Sequence, residues 1–233
     1  MTNSRNFFGQ IVIYRTVRLL RHLFLPFQDP FLKSFIQHRR ISLFIFHYIV
    51  EIPLLLLDVM ALPELLSLFQ SSIKQDARPL HDYEIVLARQ IFGDGYDFKN
   101  TRIDEQSVFG TQSGKYAYVL YYYINCPGKL HLPVLIHELV HILQFEQIGS
   151  PYIIRNLVAH AMSPTYDYGG LKKINDILKH PQQIHALNYE QRADLVSDYC
   201  HLLLGNQPEW GNATVSQIHQ YRKVIQLMNV LPG

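Results

Sequence analysis

The sequence predicts an α+β protein, in which a mostly helical domain with a small sheet follows a hydrophobic helical extension. Residues 132–148 form a long apolar stretch of helical character, while residues 115–124 are dense in Tyr, Val and Ile. The first seventy residues are apolar but contain many basic side chains. A chain of 233 residues is long enough for one full domain, predicted at 76–233, after an extension at 1–75.

The extension has an uneven charge. The whole chain carries +2, but residues 1–50 contain seven Lys or Arg and one Asp, a net +6, which leaves −4 for the rest. From Ile11 to Phe24, apolar residues alternate with a basic stripe formed by Arg15, Arg18, Arg21 and His22. This pattern predicts a helix lying on an anionic membrane surface.

A second apolar region runs from Ile41 to Phe69. It is interrupted by charged residues and prolines, namely Glu51, Pro53, Asp58, Pro63 and Glu64. The longest uncharged run, Ile41–Val50, has ten residues, too few to span a bilayer, which takes about 20. We therefore predict two or three short helices, either lying on a membrane or packed over the domain. Arginines interrupt the only candidate signal peptide, so none is predicted and a cytoplasmic or peripheral membrane location is expected.

The domain begins with elements that have clear local signals. The apolar spacing in Asp82–Phe92 predicts a helix that ends at the Gly93-Asp94-Gly95 turn. Lys99–Asp104 is a candidate short strand. Lys115–Ile124 lies between Gly114 and Pro127-Gly128 and predicts a longer strand, which could pair with an extended peptide substrate.

The central element is the apolar segment Leu132–Gln144, which contains the motif HELVH. It predicts a buried helix that starts near Pro133 and stops at Gly149. Because residues four apart share one helix face, His137 and His141 can offer imidazole nitrogens to one zinc ion. Glu138 lies next to them without being a ligand. The alternative is a core helix with two hydrogen-bonded histidines.

Four further helices are predicted downstream, with a loop at Ser163–Gly170. They cover Tyr152–Met162, Lys172–His185, Asn188–Gly205 and Val215–Met228. The two cysteines, Cys126 and Cys200, are too few for a disulfide framework and are predicted to be free thiols.

A catalytic zinc site needs a third protein ligand. Gln144 and Gln147 occupy the positions where a metzincin would have glycine and histidine, so that type is excluded. The downstream helix offers Glu190, in an E-x-x-x-D pattern with Asp194, and we predict Glu190 as the ligand. The alternative is an ordinary carboxylate that is favoured by its place at a helix N-terminus.

The chain also resembles a known family over roughly residues 77–200. The segments that carry the resemblance are, in this order, Ala77-Arg78-Pro79-Leu80 with Glu84-Ile85 and Ala88, Ile91-Phe92-Gly93-Asp94, Thr101-Arg102-Ile103, HELVHILQ and NYEQRADLVSDY. They are similar to the zinc metallopeptidases associated with Rhs and Vgr proteins of bacterial type VI secretion loci. The resemblance implies a zincin-like metallopeptidase domain of the gluzincin type, acting as a secretion-associated effector or accessory protein that type VI secretion exports.

The resemblance also implies roles for single residues. His137, His141 and Glu190 would bind one Zn²⁺, and Glu138 would be catalytic. Asp198 matches the family's "DY" and would support the ligands, although spacing from Glu190 also suits Asp194.

The expected chemistry is hydrolysis of a peptide or protein substrate. Glu138 would take a proton from a zinc-bound water and pass it to the leaving nitrogen. Asp194 or Asp198 would accept a hydrogen bond from a motif histidine. The candidate donors to the oxyanion are Tyr166, Tyr168, Tyr199 and His201.

Two alternatives compete with a soluble peptidase. A membrane-associated HExxH processing protease also combines this motif with a downstream E-x-x-A-D, but no uninterrupted spanning segment is predicted. A catalytically inactive zinc-binding adaptor or scaffold is disfavoured because a structural site has no use for Glu138. Residues 1–70 are expected to contact a membrane surface or a secretion-apparatus partner. No nucleic-acid partner is expected, since the excess of basic over acidic residues is confined to the hydrophobic extension and no recognition fold is predicted.

Overall fold

A computed structural model describes residues 4–107, 117–162 and 165–230. The extension forms four helices, α1 (Ser4–Phe24), α2 (Pro30–Gln37), α3 (Ile41–Val59) and α4 (Leu62–Ile73). The domain follows with α5 (Asp82–Phe92), β1 (Arg102–Asp104), β2 (Tyr118–Leu120), β3 (Tyr123–Asn125), α6 (Leu132–Ile148), α7 (Pro151–Met162), α8 (Gly170–Lys179), α9 (Tyr189–Leu203) and α10 (Ile218–Val230). The predicted α+β class, mostly helical with a small sheet, is confirmed.

The core of the domain is built around α6, which packs along α9. Apolar side chains of both helices are fully buried, among them Leu135, Leu139 and Leu195. α5, α8, α10, the sheet and several connecting segments also contribute buried side chains to this core. Burying a side chain of this size contributes about 1.5–3 kcal/mol, so the facing surfaces of α6 and α9 are held firmly in register.

Local signals predicted the domain helices well. α5 has the predicted boundaries, and α6 ends where Gly149 adopts φ 84°. α9 begins after Asn188, whose side chain caps the helix together with Gln191. The predicted Lys172–His185 helix is instead divided into α8 and a 3₁₀ turn at Pro181–Ala186. Both cysteines are free, as predicted, and the structure shows that both are buried.

The prediction of one strand at Lys115–Ile124 was wrong. The chain turns at Tyr121, which adopts φ 56°, and the segment forms the hairpin β2–β3, with residues 115–116 outside the described part. β3 is central, antiparallel to β2 and parallel to β1. A left-handed tyrosine gives no turn signal in sequence, because Gly and Asn are the residues expected there.

The prediction of only short helices in Ile41–Phe69 was also wrong. α3 runs uninterrupted over 19 residues and is long and apolar enough to cross a membrane. Pro53 lies within α3 with its ring exposed, and Pro63 lies in the first turn of α4, where proline is tolerated. The charged residues do not interrupt α3 because Glu51 and Asp58 lie on its buried face.

The basic stripe of α1 faces the protein rather than a membrane surface, contrary to the prediction. Arg15 is buried and pairs with Glu64 at 2.5 Å, while His22 is buried against α3. The Arg18 guanidinium donates to the carbonyl of Glu146 at 2.8 Å, at the end of α6. Arg21 is the exposed member of the stripe.

Polar contacts fix the extension to the domain. Asp58 accepts hydrogen bonds from the amide and hydroxyl of Ser150, just after α6. Arg155 of α7 contacts Glu51 and Asp29, each at 2.6 Å. Gly149 lies directly against Arg18 and Asp58, where a Cβ would come within 2.1 Å of the guanidinium. The extension and the domain therefore form one packed body.

Candidate metal centre

The ligand side chains are placed by two helices that face each other. α6 presents His137 and His141 one turn apart toward α9, while its opposite face is buried in the core. Glu190 is in the first turn of α9, where the helix is fixed by its cap. The Ser197 hydroxyl donates to the carbonyl of Pro133 at 3.0 Å, which ties the middle of α9 to the start of α6.

Three potential ligand atoms converge at this point. The Nε2 atoms of His137 and His141 are 3.0 Å apart, and Oε2 of Glu190 is 3.2 Å from the first and 3.3 Å from the second. Ligands about 2.0–2.1 Å from a tetrahedral zinc ion lie about 3.3–3.4 Å from one another. The triangle therefore fits an ion of this size and leaves a fourth position for water or substrate.

Both imidazoles are oriented through their other nitrogen. Nδ1 of His137 is 2.6 Å from Oδ1 of Asp194, and Nδ1 of His141 is 2.9 Å from Oε1 of Gln144. An N–H on Nδ1 leaves the Nε2 lone pair free for a metal. The predicted neighbour Asp194 is thus in contact with a motif histidine, and Gln144 was not predicted in this role.

Two further contacts support these groups from outside the motifs. Oδ2 of Asp194 accepts a hydrogen bond from Nε1 of Trp210 at 2.7 Å. Nδ2 of Asn156, on α7, donates to Oε1 of Glu190 at 2.9 Å. Trp210 and Asn156 are in no recognisable motif, and only the tertiary fold brings them to the site.

Glu138 is buried beside the triangle but is not part of it. In the described structure its Oε2 has no hydrogen-bond partner. Burial raises the pKa of the carboxyl group, partly opposed by the two nearby histidines. An unpaired, buried carboxylate oxygen is costly, so its presence next to three metal-ligand atoms indicates that a further group belongs there.

The ligand set has strong internal electrostatics. Burial lowers the pKa of His137, but hydrogen bonds to Asp194 and Glu190 outweigh this effect and raise the pKa to about 10. Burial raises the pKa of Glu190, but the two histidines outweigh it and bring the pKa well below its ordinary value. The site thus favours a positive charge between these groups, and a divalent ion would displace the protons that provide it.

Asp198 and Tyr168, which were also predicted as site residues, are hydrogen-bonded to each other. Oδ2 of Asp198 accepts from the Tyr168 hydroxyl at 2.6 Å, and its Oδ1 accepts from the amide of Glu209 at 2.6 Å. The Asp198 carboxylate is therefore engaged away from the motif histidines, although the family resemblance implied a supporting role. Tyr168 also contacts the Tyr221 hydroxyl at 2.9 Å, within the core.

The other candidate oxyanion donors differ in their distance from the ligands. The ring of Tyr166 lies 6.4 Å from that of His137. Tyr199 and His201 follow Glu190 by nine and eleven residues on α9, about 13 and 16 Å further along the helix axis. The sequence did not single out Tyr152, whose ring lies 6.0 Å from that of His141.

Comparison of the chain with protein-family models, curated proteins and solved structures finds no match. The family resemblance therefore stays a prediction, and the chemistry has to be inferred from the geometry of the side chains.

Proposed function

We propose that the chain is a zinc-dependent peptidase or amide hydrolase, with His137, His141 and Glu190 as the metal ligands. The convergence of three ligand atoms at separations of 3.0 to 3.3 Å is the observation that carries the proposal. The unpaired oxygen of Glu138 beside them favours hydrolysis over a structural site or an inactive adaptor, which would not need a buried base.

Each residue has a defined task in this reaction. A bound zinc ion would supply a Lewis acid for the substrate carbonyl and lower the pKa of water to about 7. Glu138 takes the proton of the attacking water and delivers it to the leaving nitrogen as the C–N bond breaks. Asp194 and Gln144 keep the imidazoles oriented. Tyr166, beside His137, is the proposed donor to the oxyanion.

The sheet suggests how a peptide would bind. β2 is at one edge of the sheet and packs near α6, and no described strand pairs with its outer side. An extended peptide added to this edge would pass close to the motif helix. The zincin-like fold of the gluzincin type and the association with type VI secretion belong to the same proposal and rest on the motif resemblance.

A membrane-associated processing peptidase is the second candidate. The objection to it was the lack of a segment long enough to span a bilayer, and α3 removes that objection. Both candidates share the same catalytic residues and differ in where the substrate lies.

Hydrolysis can be tested with the full-length chain, loaded with zinc and incubated with peptides from a denatured proteome. We expect new peptide termini in the mass spectrum, their loss on chelation and their return when zinc is restored. His141→Ala, purified in parallel, is the control that should neither hold zinc nor produce termini. A wild-type chain that binds zinc without cleaving, or cleavage that survives chelation, would overturn the proposal.

Zinc content distinguishes the three carboxylates of α9. Glu190→Ala leaves two ligands and is expected to lose zinc during dialysis. Asp194→Ala should weaken zinc binding by about 10–100-fold, because His137 loses its orienting acceptor. Asp198→Ala should keep stoichiometric zinc but lower the free energy of unfolding by about 2–3 kcal/mol, since it leaves the buried Tyr168 hydroxyl without its acceptor. An empty Asp198→Ala protein beside a fully loaded Glu190→Ala protein would refute this ligand assignment.

A further inference from the structure

In the extension, several charged side chains are buried and many large apolar side chains are exposed, which is the reverse of the usual arrangement in a soluble helical layer. Five of the charged or ionisable side chains of the extension are buried on the faces directed at one another and at the domain, namely Arg15, His22, His47, Glu51 and Asp58. These groups are paired: Glu51 lies 3.0 Å from His47 and 2.6 Å from Arg155. These buried charges are therefore paired within the protein rather than exposed, although Nε of Arg18 and Nε2 of His47 have no hydrogen-bond partner in the described structure.

The outward faces of the same helices are apolar. Among the described residues of α1, α3 and α4, fourteen large hydrophobic side chains are exposed: Ile13, Tyr14, Val17, Leu20 and Phe24 on α1, Ile41, Ile45, Phe46, Ile49 and Leu56 on α3, and Leu65, Leu68, Phe69 and Ile73 on α4. The buried residues of α3 are His47, Glu51, Leu55 and Asp58, so most of this apolar helix lies at the surface of the protein. An apolar surface of this extent marks an interaction site rather than an ordinary protein surface.

The helices form a layer with one face on the domain. α1 reaches the end of α6 through Arg18, α3 reaches α7 through Glu51, and α4 places Leu66 in the cluster that includes Phe145. Their apolar faces are turned away from these contacts. α3 is long enough to span a bilayer. The ion pair between Glu51 of α3 and Arg155 of α7, however, holds the buried face of α3 against the domain.

Basic side chains lie exposed at one end of this layer. They are Arg21, Lys33, Arg39 and Arg40, in the segment that connects the end of α1 to the start of α3. Long basic side chains can keep their charge among lipid headgroups while their stems lie along apolar surface. An apolar surface with basic side chains at one end matches a lipid bilayer better than it matches a protein partner. A protein interface would have a rim of polar side chains that form hydrogen bonds with the partner.

We propose that the extension inserts into one leaflet of a lipid bilayer through the outward apolar faces of α1, α3 and α4. The layer lies in the membrane plane, and the domain is held at the membrane surface. Because burial of apolar area drives the insertion, it does not require anionic lipid. This differs from the sequence prediction, in which the positive charge of residues 1–70 together with their apolar helices attached them to an anionic membrane surface.

The test uses full-length protein synthesised in a cell-free system with phosphatidylcholine vesicles, followed by flotation in a density gradient. We expect the chain to float with these neutral vesicles and to stay bound at about 1 M salt, where the Debye length is about 3 Å. Binding confined to anionic vesicles and lost in high salt would show surface electrostatics only, and failure to float with either vesicle would equally refute insertion.

Matched charge substitutions locate the inserted face. The double change Ile49→Glu with Leu56→Glu, on the exposed face of α3, should reduce the floating fraction at least about tenfold. The control is Val86→Glu with Val215→Glu, two equally exposed apolar positions of the domain, which should float like the wild type. Equal flotation of both variants would contradict the assigned face. Both variants are expected to fold, because all four substituted side chains are exposed. Zinc content and circular dichroism check this.

Discussion

Glu138→Gln is expected to abolish hydrolysis while leaving the fold and the bound zinc unchanged. The substitution keeps the size of the side chain but removes the base, and loss of a positioned general base costs about 10²–10⁴-fold in rate. Glu138 contributes no atom to the ligand triangle, so zinc stoichiometry should stay at one per chain. The measurement is single-turnover cleavage of a peptide identified with the wild type, together with metal analysis.

Glu146→Gln is the matched control for this change. Glu146 is on the same helix, two turns further on, and burial raises the pKa of its carboxyl group to about 7. It is therefore a partly buried glutamate outside the ligand set, and its replacement should leave the cleavage rate within about twofold of the wild type. Undiminished turnover by Glu138→Gln would exclude Glu138 as the base even if zinc is essential.

Arg155→Ala is expected to destabilise the whole molecule severely. Its guanidinium is the shared partner of Glu51 and Asp29, and Glu51 is fully buried. Removing one partner of a buried ion pair costs about 3–5 kcal/mol, a large part of the 5–15 kcal/mol that stabilises a typical domain. We expect a clear fall in the denaturant midpoint of the full-length chain, measured in one detergent for all variants.

Two comparisons isolate the cause of that loss. Lys99→Ala removes an exposed pair with Asp97 and should change the free energy of unfolding by less than about 1 kcal/mol. Arg155→Met combined with Glu51→Gln removes both charges and should recover part of the loss, because no buried carboxylate is then left without its cation. An Arg155→Ala protein as stable as the wild type would mean that apolar packing alone holds the extension.

The sequence was most informative where the signal is local. His137 and His141 share a helix face by spacing alone, and Asn188 and Gly149 mark helix ends through their own side chain or backbone. Gln144 and Trp210 could not be assigned in this way, because their partners depend on how α9 and the loop after it are placed. Glu190 could be proposed only after assuming a metal.

The extension was misjudged for a different physical reason. The prediction for Ile41–Phe69 rested on the length of its longest uncharged run. Whether a charged residue interrupts an apolar helix depends instead on which face of the helix it occupies. His47, Glu51, Leu55 and Asp58 recur at helical spacing and are all buried, which leaves the rest of α3 apolar. Polar residues on one face of an otherwise apolar helix indicate internal pairing and do not interrupt the helix.

The position of Arg155 in the chain also determines the order of assembly. It follows Glu51 by 104 residues and Asp29 by 126. At about 5–20 residues per second, a ribosome adds Glu51 and Asp29 roughly 5–25 s before it adds this arginine. During that interval Glu51 lacks the cation that it contacts in the finished protein, and an unneutralised carboxylate opposes entry into hydrocarbon. Membrane insertion is therefore expected to follow synthesis of the complete chain rather than accompany it.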